Sequence, residues 1–133
     1  MFLLDTNVLS AARRPDRHEK LAAWLNAQPE TSLFVSVITI GEIARGVRQQ
    51  ESRNLDFAND LRVWLNRTET VYQDRILPFT PRDARIWGEL SADIGHPGAD
   101  LMIAATALAH RAIVVTNNVS DFAPTGVEII DPF

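Results

Sequence analysis

The strongest constraint in this sequence is an alternation. Short apolar runs edged by polar or turn residues take turns with longer stretches in which apolar residues recur at helical spacing. Phe2-Leu3-Leu4, Leu33-Phe34-Val35-Ser36-Val37, Arg75-Ile76-Leu77-Pro78-Phe79, Ala112-Ile113-Val114-Val115-Thr116 and Val127-Glu128-Ile129-Ile130 read as strands. Pro78 cannot donate to a sheet ladder, so the third run belongs at an edge or a strand end. The near-continuous apolar run 112–115 suits a parallel strand covered on both faces. Helices are expected over His18–Ala27, Thr39–Gln49, Asn54–Val71, Pro81–Ile94 and Asp100–His110. Pro81 stands where prolines favour a helix start, and the last of these helices is almost wholly apolar after its first residue. The alternation implies an α/β protein, a three-layer sandwich with a mainly parallel sheet of four or five strands flanked by helices. One domain over residues 1–133 is expected, with no internal repeat, low-complexity segment or linker. His96-Pro97-Gly98 reads as a turn between two helices.

Composition narrows the chemistry. Apolar residues make up 46% of the chain, enough for a hydrophobic core without staples. The absence of cysteine removes disulfides, thiolate zinc sites and a cysteine nucleophile, and fits a reducing cytoplasm. Met1-Phe2-Leu3-Leu4 meets Asp5 too soon to be a signal segment, and no apolar run is long enough to span a membrane, so a soluble cytoplasmic protein is expected. The net charge of −4 argues against nucleic-acid binding by charge alone, unless the acids have a separate task and bound cations reverse the local field. Twelve of the 13 basic residues are Arg, which suits phosphate contacts, although a genome-wide preference for Arg codons gives the same count.

Ligands of open parallel sheets bind at the carboxyl ends of the strands, which makes the position of each acid informative. Asp5 ends the first strand; Asp121 closely follows the fourth. Glu42 lies about one turn into the helix after the second strand, and Asp100 opens the apolar helix that leads into the fourth. Taken singly, each has an ordinary role. Asp5 and Asp100 suit helix N-caps, Glu42 lies opposite the Ile40, Ile43 and Val47 face and suits solvent, and Asp121 suits a turn. Together they form a set of hard oxygen ligands, which repel one another unless a cation such as Mg²⁺ or Mn²⁺ compensates. Such an ion can activate water and stabilise charge on a phosphodiester. The three histidines, His18, His96 and His110, lack metal-ligand spacing, although His96 sits near Asp100. No Gly-rich phosphate loop of the Walker type and no nucleophile elbow is present.

Four ordered segments carry a family resemblance. Phe2-Leu3-Leu4-Asp5-Thr6-Asn7-Val8-Leu9, Ser36 to Gly46 around Glu42, Ala99-Asp100-Leu101-Met102-Ile103-Ala104-Ala105-Thr106-Ala107 and Thr116-Asn117-Asn118-Val119-Ser120-Asp121-Phe122 resemble the motifs of PIN-domain proteins, especially the VapC-type and FitB-like toxins of bacterial toxin–antitoxin pairs. The resemblance spans the chain. It implies a PIN fold and a ribonuclease that needs Mg²⁺, with Mn²⁺ as substitute, and that uses metal-activated water to leave 5′-phosphate and 3′-hydroxyl ends. Asp5, Glu42 and Asp100 match the family's metal-ligating acids, and Thr6, Asn7, Ser36 and Thr116 match small polar positions that support them. The fourth site residue stays open between Asp121, which fills the Asp-Phe position of the common motif, and Asn118, which stands where some relatives carry aspartate; Asp121 ranks ahead. The resemblance also implies a homodimer and a VapB-type antitoxin whose tail covers the active-site groove. Promoter DNA would be bound only through that antitoxin, and RNA would be the substrate. Helix 54–72, with Phe57, Trp64 and Tyr72, is a candidate dimer or antitoxin surface, unless these aromatics are ordinary core.

Two other classes compete. One is a PIN-like binding module that acts mainly with its antitoxin to repress transcription. The other is an Asp-nucleophile phosphatase or phosphoacceptor, which fails on named residues. The phosphatase pattern wants a second aspartate where Asn7 stands, and a receiver wants a lysine after a late strand, whereas Lys20 is the only lysine.

Overall fold

The computed structural model describes residues 1–133. Its strands are β1 (Phe2–Leu4), β2 (Leu33–Ser36), β3 (Ile76–Leu77), β4 (Ile113–Val115) and β5 (Ile129–Ile130). The helices are α1 (Thr6–Ala12), α2 (Glu19–Ala27), α3 (Val37–Gln50), α4 (Leu55–Val71), α5 (Pro81–Ile94), α6 (Ala99–His110) and α7 (Val119–Phe122). Every expected strand and helix is present, with ends displaced by local chemistry. Val37 opens α3 instead of closing β2, because the Ser36 hydroxyl accepts the Ile38 N–H at 3.0 Å and starts the helix there. In α5, the Thr80 hydroxyl accepts the Asp83 N–H while the Asp83 carboxylate accepts the Thr80 N–H. This reciprocal cap precedes Pro81, and Gly95, at φ 99, closes the helix in the left-handed conformation. The short helix α7 was not anticipated.

The sheet order is β3-β2-β1-β4-β5, and every pairing is parallel. The chain builds outward from β1 through β2 to the edge strand β3, as Pro78 requires, then crosses back to place β4 on the other flank of β1. The connections therefore diverge from the carboxyl ends of β1 and β4, which leaves a crevice between them. This switch point, fixed by topology, is where a ligand site belongs.

Both faces of the sheet are covered, and the two-residue period of a strand divides the core accordingly. Leu3 and Val114 face one cluster with Leu77, Ile103, Ala104, Ala107 and Phe122. Leu4 and Val115 face the other, with Val8, Leu9, Leu21, Leu33 and Val35. Helix α6 has Leu101 and the run Ile103–Ala107 buried, and its alanines allow close approach to the sheet. Thr106 Oγ1 donates to the buried Asp83 Oδ2 at 2.9 Å and ties α6 to α5.

Arg75 fastens the outer strands. Its Nη1 donates to the carbonyls of Glu30 (2.6 Å) and Leu33 (2.9 Å), its Nη2 to that of Val71 (2.9 Å), and its guanidinium lies 4.7 Å from the Tyr72 ring centroid. One side chain thus joins the end of α4 to the start of β2, beside the two-residue β3. Arg75→Ala should lower the unfolding free energy by about 2–4 kcal/mol, since three carbonyls lose a charged donor. Urea unfolding checks this; a midpoint equal to that of the wild type would remove Arg75 as a fastening.

Candidate active site

Asp5 is the first residue beyond β1, and its backbone continues the ladder by donating to Val115 O at 3.0 Å. Its carboxylate caps α1, Oδ1 accepting the Thr6 N–H at 2.8 Å, and is only 3% exposed. Oδ2 accepts from the hydroxyl of Thr116, the residue beyond β4, at 2.8 Å. Thr116 in turn accepts the Asn118 N–H at 2.9 Å. The helix cap and the cleft acid are the same group. Each carboxylate oxygen keeps a lone pair after these bonds.

Thr6 carries the connection to α3. Its hydroxyl donates to Glu42 Oε1 at 2.6 Å and also lies 3.1 Å from Thr39 Oγ1, which is buried. Glu42 is therefore not a solvated glutamate on an outer face: it is half-buried and turned toward α1. Ser36, fully buried, acts through its cap on α3 and does not line the cleft. Asn7 Nδ2 donates to Asn117 Oδ1, while Asn7 Oδ1 is buried without a partner.

Asp100 is not the N-cap of α6. Gly98 occupies that position, and Asp100 falls in the first turn, where its carboxylate has no hydrogen-bond partner within the chain and remains free for the cleft. Asp5, Thr6, Asn7, Ser10, Glu42, Asp100 and Asn118 line one open cleft of about 370 Å³, with no apolar side chain among them. Asp121 lies outside this lining, exposed on α7, although its charge is felt at Asp100. Of the two candidates for a fourth site residue, the structure thus brings Asn118 to the cleft and holds Asp121 beside it. Ser10, Thr39 and Asn117 are additional polar residues of the site. Ser10 is detectable as one turn beyond Thr6 and Thr39 as one turn before Glu42; Asn117 lies within the fourth motif segment, between Thr116 and Asn118.

Burial pushes the Asp5 carboxyl up to about 6 from 3.8; the bonds from Thr116 and Thr6 oppose this, and the charges of Asp100 and Glu42 add to it. Asp100 is also raised, by burial first and then by the Asp121 charge, while His96 acts in the opposite direction. The donor set, carboxylates with amide and hydroxyl oxygens, is that of a hard divalent cation. No three acids stand close enough to share one ion directly. The arrangement thus matches a cation that takes one or two carboxylates and completes its shell with water, as Mg²⁺ prefers. Asp5 and Asp100, with raised carboxyls, and the unpartnered Asn7 Oδ1 are the groups such an ion would relieve.

The aromatics of α4 both pack and line a surface. Trp64 and Tyr72 pack partly against the Leu4 face of the core, Arg13 stacks on Phe57 and Trp64, and Leu9, Ala12, Trp64, Val71 and Tyr72 border a separate groove of about 200 Å³.

Residues 2–124 match the family model described as PIN domain. Over its whole length the chain is 33% identical to the VapC ribonuclease Y4jK of Sinorhizobium fredii, covering 98% of that protein. It is 32% identical to Toxin FitB of Neisseria gonorrhoeae, covering 100% of this chain and 99% of that protein. The structure of FitAB bound to an IR36 DNA fragment superposes with a TM-score of 0.84 at 32% identity, covering 99% of this chain and 95% of the matched chain.

The raised Asp5 carboxyl gives a sign to pH dependence. Between about 3.8 and about 6 the folded protein holds a proton that the unfolded chain has released, so stability falls as pH rises through this window. In metal-free protein, Asp5→Asn should therefore gain on the order of 2–3 kcal/mol over the wild type at about pH 7.5, and the gain should vanish below about pH 4. Urea unfolding across this range measures it; a pH-independent difference would contradict the burial account of Asp5.

Proposed function

The chain belongs to the PIN-domain family, and from that premise we propose that it is a Mg²⁺- or Mn²⁺-dependent endoribonuclease, the toxin of a toxin–antitoxin pair. The observation that carries this reading is the cleft itself: three acids from distant parts of the chain meet at the switch point of the sheet, with polar groups that hold them and nothing apolar between them. The VapC ribonuclease and FitB toxin relatives, similar over essentially the whole chain, support it. Residues 1–133 then act as a single domain.

In this reading Asp5 and Asp100 would hold the ion, and Asn118 and Asn7 line the same cleft. Bound there, a divalent ion would supply positive charge against a phosphodiester and lower the pKa of water in the cleft. Thr116 and the Thr6 N–H fix both oxygens of Asp5, so its lone pairs keep one direction as substrate arrives. Thr6 holds Glu42 by Oε1, and the other oxygen is free to orient the attacking water and take its proton. Attack by that water in line with the 3′-oxygen breaks the P–O3′ bond, and the leaving oxygen takes a proton from solvent, which leaves 5′-phosphate and 3′-hydroxyl ends. Ser36 contributes by fixing the start of α3, and Asp121 by tuning Asp100 from outside the cleft.

The acidic cleft also suits a basic peptide in the absence of metal, and the tail of a VapB-type antitoxin is the partner proposed for it. The chain is proposed to act as a homodimer, to reach promoter DNA only through the antitoxin, and to work in the cytoplasm. The DNA-bound FitAB relative supports the DNA-linked part and leaves room for a second reading, in which repression with the antitoxin is the main role and catalysis is weak. No helix is long and apolar enough to cross a membrane.

Purified, antitoxin-free protein should cut members of a panel of structured RNAs in Mg²⁺ or Mn²⁺ and not in EDTA. Asp5→Asn should reduce the rate by at least about 10²-fold while leaving the fold intact. Cutting that survives EDTA or Asp5→Asn would overturn the assignment, and no cutting by well-folded protein in either metal would favour the repression reading.

A further inference from the structure

Two threonines hold acids of the cleft in the same way, and one of them leans on a buried side chain with no part in the cleavage step described so far. Thr116 donates to Asp5 Oδ2 at 2.8 Å while its own Oγ1 accepts the Asn118 N–H at 2.9 Å. Thr6 donates to Glu42 Oε1 at 2.6 Å while its Oγ1 lies 3.1 Å from that of Thr39. A hydroxyl has one proton, and a carboxylate only accepts. The Thr6 proton therefore goes to Glu42, at the shorter distance, and Thr39 is the donor to Thr6. The result is a directed chain: it starts at Thr39 on α3, passes through Thr6 at the start of α1, and returns to Glu42, one turn further along α3. Thr39 departs from the usual habit of a helical threonine, which returns its proton to the carbonyl four residues back. Thr68 and Thr70 of α4 follow that habit, donating to Trp64 O at 2.9 Å and Asn66 O at 3.1 Å. Thr39 is fully buried and spends its proton across the helix pair instead.

We propose that Thr39 is a positioning residue for RNA cleavage: by donating to Thr6 it aims the Thr6 hydroxyl at Glu42 Oε1, and so keeps the other carboxylate oxygen directed at the attacking water. The proposal rests on the ribonuclease reading of the cleft and on the part given there to Glu42. A hydroxyl whose acceptor side is filled has its own proton turned to the remaining acceptor, and successive bonds of this kind strengthen one another. At Thr116 the donor behind the hydroxyl is a backbone N–H, which no substitution by another L-residue except proline removes. At Thr6 it is a side chain, which makes the arrangement testable.

Thr39→Val keeps the shape of the side chain and removes the donor, whereas Thr39→Ser keeps the donor. Steady-state cleavage is measured in Mn²⁺ on the panel RNA that the wild type cuts fastest, for the wild type, Thr39→Val, Thr39→Ser, Thr6→Val and the double variant, with Tm and Mn²⁺ affinity recorded for each. Thr39→Val should lower kcat about 10-fold and leave KM and Mn²⁺ affinity within about 2-fold of the wild type, and Thr39→Ser should restore most of kcat. The double variant should be no slower than Thr6→Val, because Thr39 acts only through Thr6. In metal-free crystals of Thr39→Val, the Glu42 carboxylate should leave Thr6 or take more than one rotamer while the α3 backbone keeps its place. If Thr39→Val does not fold, Thr39→Ala takes its place in the same comparison. An unchanged kcat, no rescue by serine, losses that multiply in the double variant, or a Glu42 that does not move would reduce Thr39 to a packing residue. A loss in Mn²⁺ affinity would place its effect on the ion. Each of these results overturns the proposal while the ribonuclease stands; a wild type that cuts no RNA in either metal would remove the underlying reading and the proposal with it.

Discussion

The hydroxyl of Thr116 donates to a buried carboxylate across the seam between β1 and β4, and the rest of the site is organised around that bond. The seam exists because the chain adds strands on one side of β1 and then crosses to the other, which opens the sheet at this point. Asp5 fills the opening as the residue after β1, and its burial follows from its place in the ladder and at the cap of α1. A carboxylate so placed is disfavoured in its charged form. The fold tolerates it because Thr116 and Thr6 donate to it, and in the proposed function a cation relieves what remains uncompensated.

From that bond the site extends by short links. Thr6 holds Asp5 by its N–H and Glu42 by its hydroxyl, so adjoining groups of one residue set the spacing of an acid at the cap of α1 and an acid on α3. Helix α6 brings the third. Its buried alanine-rich body, tied to α5 by Thr106 and Asp83, fixes the height at which Asp100 meets the cleft. A core contact of this kind is a positional constraint on chemistry at the helix start. The acidic balance of the chain fits this arrangement: the cleft attracts cations first, and phosphate only after them.

Much of this was legible in the sequence because several signals coincide. The apolar runs at 2–4, 33–36 and 113–115 became the three central strands, and Pro78 correctly confined β3 to an edge. The strand order was not legible, because it is decided by packing between distant elements rather than by any local pattern. Glu42 looked solvated because helical periodicity reports the face toward the hydrophobic core, whereas the contact with Thr6 comes from α1. Asp100 looked like a cap because aspartate is good at it; Gly98 took the position, with His96 in the space that its missing side chain leaves. Asp121 ranked ahead of Asn118 on motif, yet the short helix α7 holds Asp121 outside the cleft lining while Asn118 reaches it. The capping and catalytic readings of Asp5 were posed as rivals, and one carboxylate serves the cap and lines the cleft.

In the proposed function, the acids of this cleft are held uncompensated for a divalent cation that Asp5 anchors. The most direct measurement is thermal unfolding of the purified protein and of Asp5→Asn at about pH 7.5, titrated with Mn²⁺ and with an equal concentration of K⁺ as an ionic-strength control. Saturating Mn²⁺ should raise the Tm of the wild type by about 5 °C or more and that of Asp5→Asn by little, with K⁺ moving neither. Equal Mn²⁺ shifts in both proteins, or no shift in the wild type, would contradict it.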